Sequence, residues 1–212
     1  MNDFGIVDYG MGNLGSVLNA CRFLDLDARL VASPDALEDC RAIILPGVGA
    51  FGDCMAHLRE HGFVAPLRAW IEADKPFLGI CLGLQVLFEG SEESPKAEGL
   101  AVLPGVVRRF QLPADYKVPQ IGWNRVRYAQ PDCPLFTEVP DQSYFYFVHS
   151  YYADAAEAPF TSGITDYGIP YTSCIWRGRV MAAQFHPEKS QQRGLRMLRN
   201  FSALVTNTKG TR

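Results

Sequence analysis

The feature that most restricts the fold is an alternation in the first half of the chain, where short apolar runs give way to helical spacing and back again. Phe4-Gly5-Ile6-Val7 reads as a buried strand, and Leu14, Val17, Leu18, Cys21 and Leu24 then recur as one face of a helix. Residues 29–31 form a second candidate strand and residues 42–45, Ala-Ile-Ile-Leu, a third. Residues 51–60 and 63–73 carry helical patterns. Residues 77–80 make a fourth strand, followed at once by a helix through Leu82, Gln85, Val86 and Phe88. This order predicts a parallel sheet with helices on both faces, because a crossover between parallel strands must pass over one face or the other.

The second half changes character. Residues 106–110, 144–148, 172–176 and 180–185 are strand-like with little helix between them. Trp176-Arg177-Gly178-Arg179-Val180 has the form of a hairpin turn between antiparallel strands. Residues 115–120 and 153–159 read as long loops. The last segment is an amphipathic helix with Leu195, Leu198, Phe201 and Val205 on one face. No repeat or linker divides the chain, so the expectation is one three-layer α/β domain over residues 1–212. Its sheet is mainly parallel and becomes more antiparallel towards the C-terminal half.

Composition excludes several function classes. The net charge is −3, with both signs scattered, so there is no basic stripe for nucleic acid and no basic amphipathic face for a membrane surface. No apolar run approaches the ~20 residues that span a bilayer, and the start lacks the basic and apolar regions of a signal peptide. The expected location is the cytoplasm. None of the six cysteines lies in a CxxC pair, which argues against a zinc ribbon or redox couple, and in that compartment they are expected as reduced thiols. No metal and no cofactor is expected.

One cysteine stands apart. Gly79-Ile80-Cys81-Leu82-Gly83 is a G-x-C-x-G sequence between a predicted strand and a predicted helix, the arrangement of a nucleophile elbow with cysteine in place of serine. The glycines permit close packing at the sharp turn. The helix N-terminus favours a thiolate, and the Leu82 N–H points to where an oxyanion would form. Taken alone, the same sequence also suits a buried cysteine between packing glycines.

A thiolate nucleophile needs a proton partner, and the histidines are His57, His61, His149 and His186. His57 and His61 fall on or beside a polar helical surface and read as solvated. His186 follows the apolar run 180–185, with Glu188 two residues on across Pro187, close enough to orient the imidazole and stabilise its charged form. Pro46-Gly47-Val48-Gly49 also follows a strand, so it too falls at the carboxyl edge of the sheet, where α/β ligand sites gather. The N–H of Val48 or Gly49 would complete the oxyanion hole. The loop lacks the Gly-Lys-Ser/Thr ending of a phosphate-binding loop.

These residues resemble the class I, triad-type glutamine amidotransferases, and within them the glutaminase subunits of imidazole glycerol phosphate synthase. The resemblance is carried by Asp8-Tyr9-Gly10-Met11-Gly12-Asn13-Leu14, Pro46-Gly47-Val48-Gly49-Ala50-Phe51-Gly52 and Gly79-Ile80-Cys81-Leu82-Gly83-Leu84-Gln85. It continues in Ile121-Gly122-Trp123-Asn124, Tyr146-Phe147-Val148-His149-Ser150-Tyr151-Tyr152 and Gln184-Phe185-His186-Pro187-Glu188-Lys189-Ser190, blocks that run in order along nearly the whole chain. The resemblance implies that Cys81 attacks the carboxamide of L-glutamine, that His186 and Glu188 complete a triad, and that Gly47, Gly49, Gln85, Ser150 and Tyr151 form the substrate pocket. It places His149 beside that pocket rather than in the triad. It also implies a heterodimer with a separate (β/α)8-barrel cyclase subunit that receives the ammonia, since a barrel of ~250 residues does not fit in this chain.

Two positions depart from the pattern of that family: Gln120 stands where histidine is expected, and Leu84 where methionine is common. Gln120 can hydrogen-bond but not titrate, and Leu84 nearly conserves volume. The alternatives are a glutaminase serving an anthranilate or guanylate synthase, a cysteine peptidase or stress-response protein on a similar fold, and a non-catalytic subunit that only binds a barrel.

Overall fold

The computed structural model describes residues 2–206. In the first half β1 (Asn2–Val7), α1 (Leu14–Phe23), β2 (Ala28–Val31), β3 (Cys40–Gly47), α2 (Phe51–Glu60), α3 (Val64–Glu72), β4 (Phe77–Cys81) and the single turn α4 (Leu82–Gln85) follow one another. After the short β5 (Gly90–Ser91), the second half contains β6 (Val106–Arg109), β7 (Gln120–Tyr128), β8 (Ser143–His149), β9 (Tyr151–Ala153), β10 (Thr161–Asp166), β11 (Pro170–Arg177), β12 (Val180–Ala183) and α5 (Gln191–Thr206). The main sheet runs in the order β2-β1-β3-β4-β12-β11-β10-β7-β8. Strands from β2 to β12 are parallel, and those from β12 to β8 pair antiparallel.

The parallel strands are apolar on both faces because both faces are covered. Val7, Ile43, Leu45, Phe77, Val180 and Ala182 join one core with the buried residues of α2 and α3. Their neighbours Phe4, Ile6, Ala42, Ile44, Leu78, Ile80, Met181 and Ala183 join the other core with α1 and α5. This is the period-two alternation of a strand feeding two helical layers. Helix α2 buries Phe51, Cys54, Met55 and Leu58 at i, i+3, i+4 and i+7, the stripe of a helix lying on a sheet.

Several sequence expectations need correction. The helix read through Phe88 stops at Gln85: the carbonyls of Val86, Leu87 and Phe88 instead accept from the amides of Leu100, Val102, Leu103 and Ala101, so a returning segment caps the turn. The loop read over 115–120 ends in strand, since Gln120 already pairs with His149 at the start of β7. Neither β7 nor β10 is anticipated. In β7 the apolar Ile121 and Trp123 face out while Gln120 is buried, the reverse of the usual alternation. In β10 the buried positions include Thr161, Ser162 and Thr165, which carry no hydrophobic signal. Strand β12 ends at Ala183, before Phe185. All six cysteines are buried and free. No helix among the described residues is long and apolar enough to cross a membrane.

Candidate active site

The site is assembled by strand order. β4 lies between β3 and β12, with Gly47 in register with Cys81 and Ala183 in register with Ile80. The three strands are parallel, so their carboxyl ends deliver the 46–49 loop, Cys81 and His186 to one edge. A cleft of about 350 Å³ opens there, and its walls include Val48, Gly49, Cys81, Leu82, Gln85, Ser150, Tyr151 and His186.

Cys81 takes φ 55° and ψ −108°, a conformation that L-residues rarely hold and that the surrounding structure must impose. The neighbouring glycines are what allow it. A Cβ on Gly83 would lie 1.9 Å from the Leu45 carbonyl oxygen, and one on Gly79 would lie 2.5 Å from that of Gly83. Any side chain at either position would push the elbow off the sheet. Leu82 is the first residue of α4, so its N–H has no carbonyl one turn back to bond. It lines the cleft beside Cys81.

The His186–Glu188 pair is held by a tight 3₁₀ turn over Pro187–Lys189. Ser190 stitches that turn to β8: its hydroxyl donates to the His186 carbonyl at 2.6 Å and accepts from the Tyr146 amide at 3.0 Å. The His186 amide donates to the Tyr146 carbonyl at 3.0 Å. His186 Nδ1 and Glu188 Oε1 are 2.8 Å apart, and both side chains are almost fully buried. The other ring nitrogen, Nε2, is buried without a well-formed hydrogen bond, and Cys81 acts on the ring from the cleft. Burial opposes the imidazolium, but hydrogen bonding and charge from Cys81 and Glu188 outweigh it and push His186 up to about 9.

The 46–49 loop is fixed from below and from the side. The buried Tyr9 hydroxyl donates to the Pro46 carbonyl at 3.0 Å. At the entrance to α2, Glu93 accepts from the Phe51 amide at 2.7 Å and the Ser94 hydroxyl from the Gly52 amide at 3.1 Å. Gly49 adopts φ 90°, which glycine alone holds without strain. Val48 and Gly49 reach the cleft, but Gly47 does not line it. A Cβ there would meet the Leu82 Cβ at 2.7 Å, so a side chain at Gly47 would push β3 away from α4.

Sequence reasoning did not assign a role to Gln184, which is fully buried. The Tyr151 carbonyl, which can only accept, takes bonds from His149 Nδ1 at 2.8 Å and Gln85 Nε2 at 2.9 Å. Gln85 Nε2 gives its second proton to Gln184 Oε1 at 3.0 Å, which turns the Gln184 amide nitrogen towards Cys81 Sγ at 3.8 Å. A backbone carbonyl thus sets the orientation of two amides and aims an N–H at the sulfur. The one signal in the sequence was position: Gln184 precedes His186 by two, at the same end of β12.

His149 sits in the cleft wall behind this network, not beside Glu188. Its Nε2 lies 3.2 Å from the Tyr171 hydroxyl, which donates to Gln120 Oε1 at 2.9 Å. Burial pushes His149 down to about 4, so it is neutral at ordinary pH and acts through hydrogen bonding. Gln120 fills its buried place as an acceptor, a task that does not require titration.

A nucleophile elbow, an imidazolium–carboxylate pair and a clamped glycine loop at one sheet edge are the parts of a thiol-dependent acyl transfer site. Solved structures share the fold. One titled as a glutamine amidotransferase matches with a TM-score of 0.73 at 21% identity, over 96% of this chain and 98% of that one. PurLQS from Thermotoga maritima matches with a TM-score of 0.75 at 18% identity, over 97% of this chain and all of the matched chain. The family model for glutamine amidotransferase class-I matches residues 5–204. Among curated relatives, the imidazole glycerol phosphate synthase subunit HisH of Desulfitobacterium hafniense is 50% identical over 95% of this chain and 94% of its own length. The subunit of the same name from Moorella thermoacetica is 48% identical over 97% and 96%. With identity at that level along nearly the whole length, the chain belongs to the class I glutamine amidotransferases and, within them, to the family of HisH subunits.

Proposed function

We propose that this chain is the glutaminase subunit of an imidazole glycerol phosphate synthase, hydrolysing L-glutamine at Cys81 and passing ammonia to a separate (β/α)8-barrel cyclase subunit. The observation that carries the reading is the meeting of Cys81, at its strained elbow, with the buried His186–Glu188 pair in one cleft. The relatives that are half identical over nearly their full length bear the name of that synthase's subunit.

The chemistry follows from the charges. At neutral pH His186 is an imidazolium held by Glu188, and so the partner for a Cys81 thiolate. The sulfur attacks the glutamine carboxamide carbon, and the oxygen takes the electron pair. Leu82, Val48 and Gly49 line that cleft, and their amides would be the donors for the developing charge. His186 gives its proton to the departing nitrogen as the C–N bond breaks, leaving a γ-glutamyl thioester and ammonia. Water then attacks the thioester, His186 accepts its proton, and glutamate leaves as the thiolate–imidazolium pair is restored. Gln184 holds the sulfur in line, and Gln85, Ser150 and Tyr151 supply polar groups to the substrate.

An exposed apolar face beside the cleft suits the partner. Ile121 is 64% exposed, Trp123 46% and Tyr144 51%, on strands β7 and β8. Ile121 pairs across the ladder with Val148, and Val148 and Pro119 line the cleft. A subunit seated on this face would close the mouth of the site and receive what leaves it.

The test is glutamate release from glutamine by the purified chain, with and without a barrel cyclase subunit and its nucleotide ligand. Slow turnover alone and strong stimulation by the liganded barrel are expected. Turnover that ignores the barrel would keep the glutaminase and reject this synthase; none under any condition, with the protein folded, would reject the triad.

A further inference from the structure

The last turn of α2 carries a cluster of side chains that glutamine hydrolysis leaves unused. His57, Glu60 and His61 stand at i, i+3 and i+4, which brings them to one helical face. A ring nitrogen from each histidine and a carboxylate oxygen of Glu60 all lie within 4.8 Å of one another. The two imidazole planes are 9° from parallel, with centroids 6.1 Å apart.

Hydrogen bonding prepares one of these rings as a ligand. His61 Nδ1 donates to the His57 carbonyl at 2.9 Å. That bond fixes the tautomer and leaves Nε2 with its lone pair free, the support a metal-bound histidine ordinarily has. The His57 ring is half-buried, and its Nδ1 is enclosed with no hydrogen-bond partner. The backbone of Gly10 covers it, so closely that a Cβ there would lie 3.3 Å from His57 Nδ1 and 3.9 Å from His61 Cε1. His61 is exposed, as the sequence suggested, whereas His57 is more enclosed than a solvated residue. Glu60 joins no salt bridge among the described residues.

We propose that His57, Glu60 and His61 bind a divalent transition-metal ion of the Zn²⁺ type. Two imidazole nitrogens and one carboxylate suit zinc or cobalt, whereas calcium and magnesium require an oxygen cage that is absent from this cluster. The fourth position faces solvent and takes water. The ion sits at the C-terminal end of α2, where the helix dipole favours a cation. Roughly 15 Å of helix separates it from the Val48–Gly49 loop, so it does no chemistry on glutamine. Its effect is to pin the end of α2 beside the Gly10 turn.

The test uses Co²⁺ as the probe on the metal-free full chain. One equivalent should bind with visible d–d absorption and without the thiolate-to-cobalt band that a cysteine ligand produces. His61→Ala, a change at an exposed helix end, should weaken Co²⁺ binding by more than the ~100-fold that is the most loss of an outer-shell partner ordinarily costs. Cys81→Ala should leave it unchanged. Zn²⁺ should displace Co²⁺ and raise the Tm of the unsubstituted chain but not of His61→Ala. Equal uptake by the unsubstituted chain and His61→Ala would overturn the site. So would a thiolate band that disappears in Cys81→Ala, because the ion would then belong to the glutamine cleft.

Discussion

From β2 to β12 the strands run one way and, inside the edge strand β2, are buried on both faces, whereas from β11 to β8 they alternate in direction and expose one face of β7 and β8 to solvent. Each half supplies a different component of the site. In the parallel half all carboxyl ends share one edge, so neighbouring strands β3, β4 and β12 place the 46–49 loop, Cys81 and His186 within reach with no long connection. The antiparallel half has no such common edge. It contributes the walls, Ser150 and Tyr151 with His149 behind them, and an apolar face that the isolated chain leaves open. Chemistry is built into the half whose interior is closed, and partnership into the half whose surface is not.

If this division holds, substitutions in the parallel half should abolish turnover with or without a partner, while those in the outer face of the antiparallel half should act only when the partner is present. The largest effect belongs to Cys81→Ala. Loss of a nucleophile that acts as part of a triad costs on the order of 10⁶ in kcat, so glutamine-dependent activity should vanish. Synthesis supplied with free ammonia should survive, because the acceptor reaction does not use the thiol. Loss of both, measured side by side in the assembled complex, would make Cys81 structural.

Next comes Trp123→Ala. A half-exposed aromatic at the centre of an interface is worth roughly 2–4 kcal/mol in binding, against about 0.5 kcal/mol for a surface change in the chain alone. Titration of the barrel subunit should therefore show affinity reduced at least ~30-fold, with the Tm of the isolated chain unmoved. An unchanged affinity would put the docking face elsewhere and break the comparison on its antiparallel side.

Both the ease and the failure of reading this chain from its sequence have the same origin. β3 was readable because burial on both faces writes Ala-Ile-Ile-Leu as an unbroken apolar run, and α2 because its stripe falls at helical spacing. The Cys81 elbow was readable because close backbone approach requires glycines at fixed positions. β7 was not, since a strand that keeps Ile121 and Trp123 outside inverts the pattern that marks burial. β10 was hidden by its buried Ser162 and Thr165, and Gln184 because its function lies in a chain of amides that only the fold brings together.

A smaller effect sharpens the assignment of Gln184. Replacing it by leucine keeps the bulk and removes the N–H aimed at the sulfur. A hydrogen bond to a charged group contributes about 1.5–3 kcal/mol, so glutamine hydrolysis should fall roughly 10- to 100-fold. The loss should fall on kcat with KM unmoved, which a general loosening of the pocket would not produce. Gln184→Glu should not rescue, because it puts a carboxylate against the thiolate. Full activity in Gln184→Leu would reduce the amide to a packing element.

The smallest effect contrasts the two buried histidines, one from each half. His186 is raised to about 9 from an ordinary value of 6.5. Its contribution to stability is therefore complete below pH 6.5 and lost as pH rises through about 9. His149 is lowered to about 4, so its contribution is complete above pH 6.5 and lost as pH falls towards 4. Each should amount to about 1 kcal/mol or more, since each pKa unit is worth about 1.4 kcal/mol. Tm measured across this range should decline on both sides. The double variant Cys81→Ala/Glu188→Gln, which removes both groups that favour the imidazolium, should flatten the alkaline side alone. His149→Gln, which removes the suppressed proton site, should flatten the acid side alone. A single variant that flattened both would mean that the two histidines titrate as one unit, and that the wall and the catalytic edge are coupled more tightly than their separate strands imply.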